Sequence, residues 1–167
     1  MPTASRILTI FTRTHLHVGA GASVGAIDQP IIRERHTGFP IIPGSSLKGS
    51  FADLWNSTLD SDGKRALGEA AWLFGSDDAR DSQAAAGALL FGEARLIAFP
   101  IRSARGSYAW MTSPLLLRRA VRDGVITEDA IGNLTEPPDD SLLCATGTID
   151  FAALNGNPPR VVLEEYT

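Results

Sequence analysis

Two histidines and an aspartate near the amino terminus have the residue types and spacing for metal or phosphate chemistry. His15 and His17 are neighbours at i and i+2, and Asp28 follows in a glycine-rich stretch. Side chains at i and i+2 at a strand end point to the same side, where two imidazoles could flank a metal ion or a phosphate. The Asp28 carboxylate could hold Mg²⁺ or position the nucleophile of a phosphoryl transfer. The alternatives are hydrogen-bonding surface histidines and a turn-forming aspartate.

A second group, GSSLKG at residues 44–49, stands where a helix is predicted to begin. Free backbone N–H groups and the positive end of the helix dipole attract anions there, and Ser45, Ser46 and Lys48 add donors and charge. The spacing is not that of a Walker A loop. The motif therefore fits a phosphate, and its alternative is an ordinary capped helix with a solvated lysine.

Arginines and aromatic residues are concentrated in residues 93–122, although the net charge of the chain is −4. Tyr108 and Trp110 lie among these arginines, whereas residues 123–167 are acidic. Arginine contacts to phosphate combined with aromatic stacking suit single-stranded RNA better than a duplex. The alternative is a solvated basic face. The arginines are Arg95, Arg102, Arg105, Arg118, Arg119 and Arg122.

The elements that position these residues alternate between strand and helix patterns. Strands are predicted at residues 6–13, 87–100, 107–111 and 160–166, and helices at 44–55, 64–73 and 114–123. Leu47, Phe51, Leu54 and Trp55 form the predicted buried face of the first helix, and Gly75 is placed to stop the second. Residues 14–44 form a long loop rich in glycine and proline, with short paired segments at 29–35, and such loops are usually functional. The order predicts an α+β fold with helices on one face of a sheet.

Composition limits the class of protein. A chain of 167 residues with 44% apolar and 20% charged residues suits one soluble globular domain or part of one. No apolar run approaches the ~20 residues of a membrane span, and the amino terminus does not resemble a secretory signal. We therefore expect a cytoplasmic protein without a membrane partner. The single cysteine, Cys144, is expected to be buried and inert.

Several segments taken together resemble the RAMP superfamily of CRISPR proteins. Near the amino terminus these are LHVG (16–19), GAIDQPIIRE (25–34) and GFPIIPGSSLKG (38–49). Three later segments, LFG (73–75), GALLFGEAR (87–95) and YAWMTSP (108–114), narrow the resemblance to the repeated backbone subunit of the type III-B (Cmr) effector complex. The match runs through nearly the whole chain in order.

The resemblance implies a fold, partners and a site. The fold would be an RRM-like (ferredoxin-like) palm with helices on one face of an antiparallel sheet, as a single domain over residues 1–167. Copies would stack along a guide RNA beside other CRISPR effector subunits. Asp28 matches the family's catalytic aspartate, which cuts paired target RNA with Mg²⁺ or another divalent cation, and His17 would support it. The residues expected to grip or border the guide are Ser45, Ser46, Lys48, Arg33 and Arg35.

The chemistry implied is attack of an RNA 2′-OH on its adjacent phosphorus. A free aspartate, with a pKa near ~3.9, is a weak base at neutral pH. Asp28 is therefore expected to bind the metal or orient the hydroxyl, with geometry supplying most of the rate.

Family members are considerably longer than this chain. The palm is therefore expected to be incomplete here, as a truncated form or one half of a split subunit. Two other functions stay open: a non-catalytic RNA-binding scaffold, and a guide-maturing RAMP endoribonuclease with His15 or His17 as general acid.

Overall fold

The structure is a computed structural model that describes residues 4–21, 29–55, 69–76, 85–104, 106–144 and 161–164. It contains short antiparallel sheets and helices, which confirms the mixed α and β composition. In chain order the elements are β1 (Ile41–Ile42), α1 (Gly44–Trp55), α2 (Glu69–Phe74), β2 (Ala94–Arg95), β3 (Phe99–Ser103), β4 (Ser107–Met111), α3 (Pro114–Arg122) and α4 (Glu128–Ile131). They belong to two compact units, Thr12–Arg95 and Met1–Phe11 together with Leu96–Thr167.

The core of the Thr12–Arg95 unit lies between α1, α2 and the segment before β2. Ala52, Ala70 and Phe74 are buried there, with Phe91 packed against them. The Phe74 and Phe91 rings stack with centroids 6.1 Å apart, and Phe51 stacks on Phe91 at 5.5 Å. Small alanines let the two helices approach closely, while the phenylalanines supply most of the apolar area.

The start of α1 is held against that segment by backbone contacts. β1 pairs with β2 in antiparallel register, with Ile41 opposite Arg95. A Cβ built on Gly44 would lie 2.3 Å from the carbonyl oxygen of Phe91. Because carbon and oxygen atoms cannot approach so closely, only glycine fits at the first residue of α1.

In the second unit, β3 and β4 form an antiparallel hairpin. Arg102 faces Tyr108 and Pro100 faces Trp110 across it. Leu163 makes an isolated bridge to Ser103, so the last described residues lie beside the final residue of β3.

A well-capped helix follows the hairpin. The Ser113 hydroxyl accepts a hydrogen bond from the Leu116 N–H at 3.3 Å, and Pro114 occupies the first turn. Leu116 and Ala120 are its buried residues.

The predicted helices agree with the structure better than the predicted strands. α1, the strand at Ser107–Met111 and α3 are confirmed, and Gly75 follows α2 with a φ of +85°. The predicted strand 6–13 is wrong, because these residues form no strand within the described chain. In place of one strand at 87–100, the structure has two short strands, β2 and β3. Of the strand predicted at 160–166, the described residues 161–164 form only an isolated bridge. Strands need a pairing partner distant in sequence, which a local pattern does not report.

Two predictions of burial are also wrong. Leu54 is 83% exposed, Trp55 56% and Phe51 37%, and the buried residue of α1 is instead Ala52. Cys144 is exposed instead of buried.

Candidate functional site

The segment containing His17 is paired with the segment that follows Asp28. Gly19 and Ile31 form an antiparallel bridge, with hydrogen bonds from Ala20 N–H to Pro30 C=O (2.8 Å) and from Ile32 N–H to Val18 C=O (2.9 Å). These bonds hold the described segment that ends at Gly21 beside the described segment that begins at Gln29. This pairing confirms the short paired segments predicted inside the 14–44 loop.

The His17 imidazole makes a further contact between these two segments. Its Nε2 lies 2.9 Å from the carbonyl oxygen of Gln29. A carbonyl oxygen only accepts, so Nε2 carries a proton and donates it. Gln29 has a φ of +47°, a left-handed conformation that is uncommon for a residue with a side chain. Asp28, the preceding residue in the sequence, lies outside the described residues.

The two arginines predicted to border the groove lie on a tight turn. Arg33 forms a bridge with Pro40, and its Nη1 donates to the carbonyl oxygen of Gly38 at 2.9 Å. Gly38 has a φ of +73°, which favours glycine at this place. Arg35 lies on the same turn and is exposed. Arg33 thus has a structural contact across the turn, and its other guanidinium N–H groups make no hydrogen bond to another described residue.

Ile32 links the His17 segment to the start of α1. Its N–H donates to Val18, and its carbonyl accepts from the N–H of Ile41 in β1 at 3.3 Å. Only Ile42 and Pro43 separate Ile41 from α1. Backbone hydrogen bonds therefore connect the histidine segment to the serine and lysine motif within one compact unit.

An open cleft of about 270 Å³ lies beside the first turns of α1. Ser45, Lys48 and Gly49 form the side contributed by α1, and Gly75 and Ser76 form the side that follows α2. Ala52 and Phe74 complete the lining. Two of the three predicted motif residues thus share one cleft. The third, Ser46, is exposed and is not among the residues that line it.

Among the described residues, the charges beside this cleft favour an anion. The first turn of α1 contains no acidic residue, so nothing within that turn offsets the positive end of the helix dipole. Lys48 is exposed and has no hydrogen bond or ion pair with another described residue. No described carboxylate competes for the Lys48 ammonium, so it could pair directly with an incoming phosphate.

Sequence reasoning missed the far side of the cleft. Gly87 packs directly against the end of α2 and Gly75. A Cβ built on Gly87 would lie 2.5 Å from the carbonyl oxygen of Leu73, so only glycine permits this approach. This contact brings Ser76 to the cleft, where its Oγ accepts from the Ala85 N–H at 3.0 Å. The glycines of the LFG and GALLFG segments were the available signal, but their mutual contact is not a local property of the sequence.

The family model that describes the RAMP superfamily matches residues 9–164. This chain belongs to the RAMP superfamily. The chain is 39% identical over 162 residues to the CRISPR system Cmr endoribonuclease Cmr4 of Pyrococcus furiosus, an alignment that covers 96% of this chain and 50% of the relative. A solved structure, oligomeric Cmr4 from Pyrococcus furiosus, matches 83% of this chain and 47% of its own with a TM-score of 0.52 and 32% identity. The sequence resemblance is confirmed.

A shorter similarity is to a second CRISPR endoribonuclease. The CRISPR system Cms endoribonuclease Csm3 of Streptococcus thermophilus is 54% identical over 44 residues, which cover 25% of this chain and 20% of the relative. The RAMP chain described here spans about half the length of its Cmr4 relatives.

Most described arginines of the basic stretch in this RAMP chain are paired with carboxylates. The pairs are Arg95 with Glu93 at 3.2 Å, Arg102 with Glu164 at 2.8 Å, Arg118 with Glu136 at 3.1 Å and Arg122 with Asp123 at 2.9 Å. Arg105 lies outside the described residues. The acidic carboxyl-terminal stretch supplies most of these partners, so the pairing favours the solvated-face interpretation over a free phosphate-binding patch.

The described parts of the RAMP chain contain neither a cluster of metal ligands nor a helix that could span a membrane. No three His, Cys, Asp or Glu side chains converge there as a metal site. Because Asp28 is not among the described residues, its role as a metal ligand stays a prediction. No helix in the same residues is both long and apolar enough to cross a bilayer.

Proposed function

We propose that this chain forms the RNA-contacting part of a backbone subunit of a CRISPR type III-B effector complex. It binds the guide RNA, and in the complex it cleaves target RNA paired to that guide. Similarity to a Cmr endoribonuclease over 96% of the chain supports this class of activity. Guide pairing would supply sequence selectivity, while the protein reads the backbone.

The observation that carries the proposal is the cleft beside α1. Ser45 and Lys48 line it, and Lys48 has no partner among the described residues. A guide phosphate in the cleft would accept hydrogen bonds from these side chains and lie near the positive end of α1. Ser46, Arg33 and Arg35 would extend this contact along the sugar-phosphate strand.

Cleavage is assigned to Asp28, with His17 as a positioning residue. The 2′-OH of the target attacks its adjacent phosphorus, and the bond from phosphorus to the 5′ oxygen breaks. The products are a 2′,3′-cyclic phosphate and a 5′-hydroxyl, so the proton lost by the 2′-OH is balanced by one gained at the leaving oxygen. Asp28 orients the hydroxyl or holds a divalent cation, which would stabilise charge on the phosphate when bound. The hydrogen bond from His17 to Gln29 supports this role because it fixes the residue next to Asp28.

The fold and partners follow from the same family relationship. The palm would be RRM-like, completed by the part of the fold that Cmr4 relatives have beyond the aligned half. Copies of the chain would stack along the guide beside other effector subunits, in the cytoplasm.

The test is target cleavage by a reconstituted complex containing Asp28→Asn, which preserves size and removes the charge. We expect guide and target binding to persist while cleavage falls to background. Unchanged cleavage would remove Asp28 from the mechanism. If the unaltered chain assembles on guide RNA and never cleaves in the complex, the scaffold function replaces the endoribonuclease.

A guide-maturing nuclease would give a different result. Repeat RNA would then be cut without a divalent metal, and His17→Ala or His15→Ala would abolish that cut.

A further inference from the structure

The side of the cleft that follows α2 carries a hydroxyl group that the proposed phosphate contact does not use. This hydroxyl belongs to Ser76, whereas Ser45 and Lys48 lie on the side formed by α1. Ala52 and Phe74, which are 1% and 5% exposed, supply an apolar part of the lining. The cleft therefore combines a cationic side, a side with a neutral hydroxyl and apolar surface.

Ser76 is held in place by a reciprocal pair of hydrogen bonds with Ala85. The Ser76 N–H donates to the Ala85 carbonyl oxygen at 3.1 Å, and the Ser76 Oγ accepts from the Ala85 N–H at 3.0 Å. Gly75 approaches the same segment so closely that a Cβ built on it would lie 2.9 Å from the backbone nitrogen of Gly87. The hydroxyl is therefore positioned before a ligand arrives, which reduces the entropy lost on binding.

The bond from Ala85 leaves the Ser76 hydroxyl able both to donate and to accept. A serine hydroxyl has one proton to donate and two lone pairs that accept. One lone pair is occupied by the Ala85 N–H, and the side chain makes no other hydrogen bond with a described residue. Within the described chain, the hydroxyl proton and the second lone pair are therefore left for a ligand.

This bonding capacity fits a ribose hydroxyl better than a second phosphate. A 2′-OH both donates and accepts, whereas phosphate oxygens only accept and bind most strongly to charged donors. Among the described residues that line the cleft, Lys48 is the one cation, and it lies on the α1 side. Phosphate and ribose alternate along a nucleic-acid strand, so a strand whose phosphate pairs with Lys48 brings a ribose next to that contact.

We propose that the Ser76 hydroxyl binds the 2′-OH of a guide ribose and thereby makes the cleft selective for RNA over DNA. The phosphate adjacent to that ribose lies with Ser45 and Lys48. The inference rests on the proposed function in taking the cleft as a guide-binding site. It does not depend on Asp28 or on cleavage.

The experiment compares a labelled single-stranded oligoribonucleotide with its 2′-deoxy counterpart of the same sequence, with uracil in both. Dissociation constants for the 167-residue chain are measured by fluorescence anisotropy at one salt concentration. We expect the unaltered chain to prefer the ribo probe. Ser76→Ala should weaken binding of the ribo probe about fivefold, the effect of one neutral hydrogen bond, and change binding of the deoxy probe little. Removing the hydroxyl from the protein and from the probe should therefore be non-additive.

Two further variants separate this contact from general effects on binding. Ser50 is an exposed α1 residue outside the cleft lining, so Ser50→Ala should leave both affinities unchanged. Lys48→Ala removes a charge that pairs with phosphate, which both probes contain, and should weaken both by the same factor. If Ser76→Ala does not melt cooperatively, Ser76→Cys takes its place, because a thiol keeps the size of the side chain but is a weak donor and acceptor.

Equal weakening of both probes by Ser76→Ala would show that Ser76 only shapes the cleft, and it would overturn the proposal. An unchanged affinity for the ribo probe, or an unaltered chain that binds both probes equally well, would also refute it. In each of these cases, weaker binding of both probes by Lys48→Ala would leave the proposed function standing. If Lys48→Ala weakened neither probe, the cleft would lose its assignment as the guide site, and the inference would fail with it.

Discussion

The imidazole of His17 donates from Nε2 to the carbonyl oxygen of Gln29 across 2.9 Å, although the two residues are twelve positions apart in the chain. The bond joins the His17 segment to the residue that follows Asp28 in the sequence. It also holds Gln29, whose φ is +47°, in a conformation that costs free energy for a residue with a side chain. We therefore propose His17 as a positioning residue that acts through Gln29, the neighbour of Asp28 in the sequence.

We expect His17→Ala to lower target cleavage more than guide binding. A neutral hydrogen bond contributes about 1 kcal/mol, so its loss should reduce the rate about fivefold if the whole effect reaches the site. The measurement is single-turnover cleavage by the reconstituted complex at saturating guide. His17→Gln, whose amide can still donate, should recover part of the rate.

His15→Ala is the matched control for that change. His15 is exposed and has no hydrogen bond or ion pair with another described residue. Equal rate losses for the two variants, or no recovery with His17→Gln, would contradict a positioning role for His17.

Local sequence signals predicted the parts of the site that depend on local structure. The GSSLKG motif placed Ser45 and Lys48 on the first turns of a helix because apolar spacing and serine preference are properties of adjacent residues. Ser76 joins the cleft only through the approach of Gly75 to Gly87, which depends on tertiary packing. The irregular course of residues 6–13 has the same origin, since their β-branched composition fits a strand but specifies no partner.

Gly44→Ala should destabilise the protein. The added Cβ would lie 2.3 Å from the Phe91 carbonyl oxygen, and backbone atoms can relieve such overlap only by moving α1 away from its contact. We expect a loss of about 1–3 kcal/mol in the free energy of unfolding, as for other overpacked sites. Urea denaturation followed by circular dichroism measures it.

Gly49→Ala provides the opposite result within the same helix. Apart from the adjacent residues and the backbone of α1 itself, no described atom lies within 4 Å of a Cβ built there. Alanine is favoured over glycine inside a helix by about 1 kcal/mol. This variant should therefore be as stable as the unaltered chain or more so. A destabilised Gly49→Ala, or an unaffected Gly44→Ala, would show that the close contact at Phe91 is not a determinant of stability.

The ion pair between Arg102 and Glu164 predicts a pH dependence of stability. Hydrogen bonds from Arg102 lower the pKa of the Glu164 carboxyl, and the same pairing raises the pKa of Arg102. A carboxyl whose folded pKa is depressed stabilises the fold above its ordinary pKa, and this contribution is lost as the pH falls through the depressed value. The raised pKa of Arg102 matters only in strongly alkaline solution.

Glu164→Gln should therefore lower stability at pH 7 and have progressively less effect as the pH falls below about 4, the ordinary carboxyl range. Thermal melts of both proteins between pH 7 and pH 2.5 measure the difference. Glu136→Gln, which removes the partner of Arg118 in a pair whose side chains are both more than half exposed, should change stability little at any pH. A difference for Glu164→Gln that grows in acid would reverse the predicted sign.

Lys48→Ala should weaken guide RNA binding and reduce its salt dependence. Lys48 lines the cleft and has no partner among the described residues, so the full charge is available to a phosphate. Each phosphate contact on a single strand contributes about 0.7 to the slope of log K against log salt concentration. We expect the magnitude of the slope to fall by about this amount in Lys48→Ala. The measurement is fluorescence anisotropy of labelled guide RNA between about 50 and 300 mM salt, a range over which the screening of surface charges changes.

Arg122→Ala controls for a general loss of positive charge. Arg122 is exposed and bound to Asp123 at 2.9 Å, and the loss of a charge already paired with a carboxylate should leave the salt slope unchanged. Lys48→Arg should keep the slope near that of the unaltered chain, because it keeps the charge. If Lys48→Ala and Arg122→Ala lowered the slope equally, the guide would be attracted by net charge alone, and the cleft beside α1 would lose its assignment as a phosphate site.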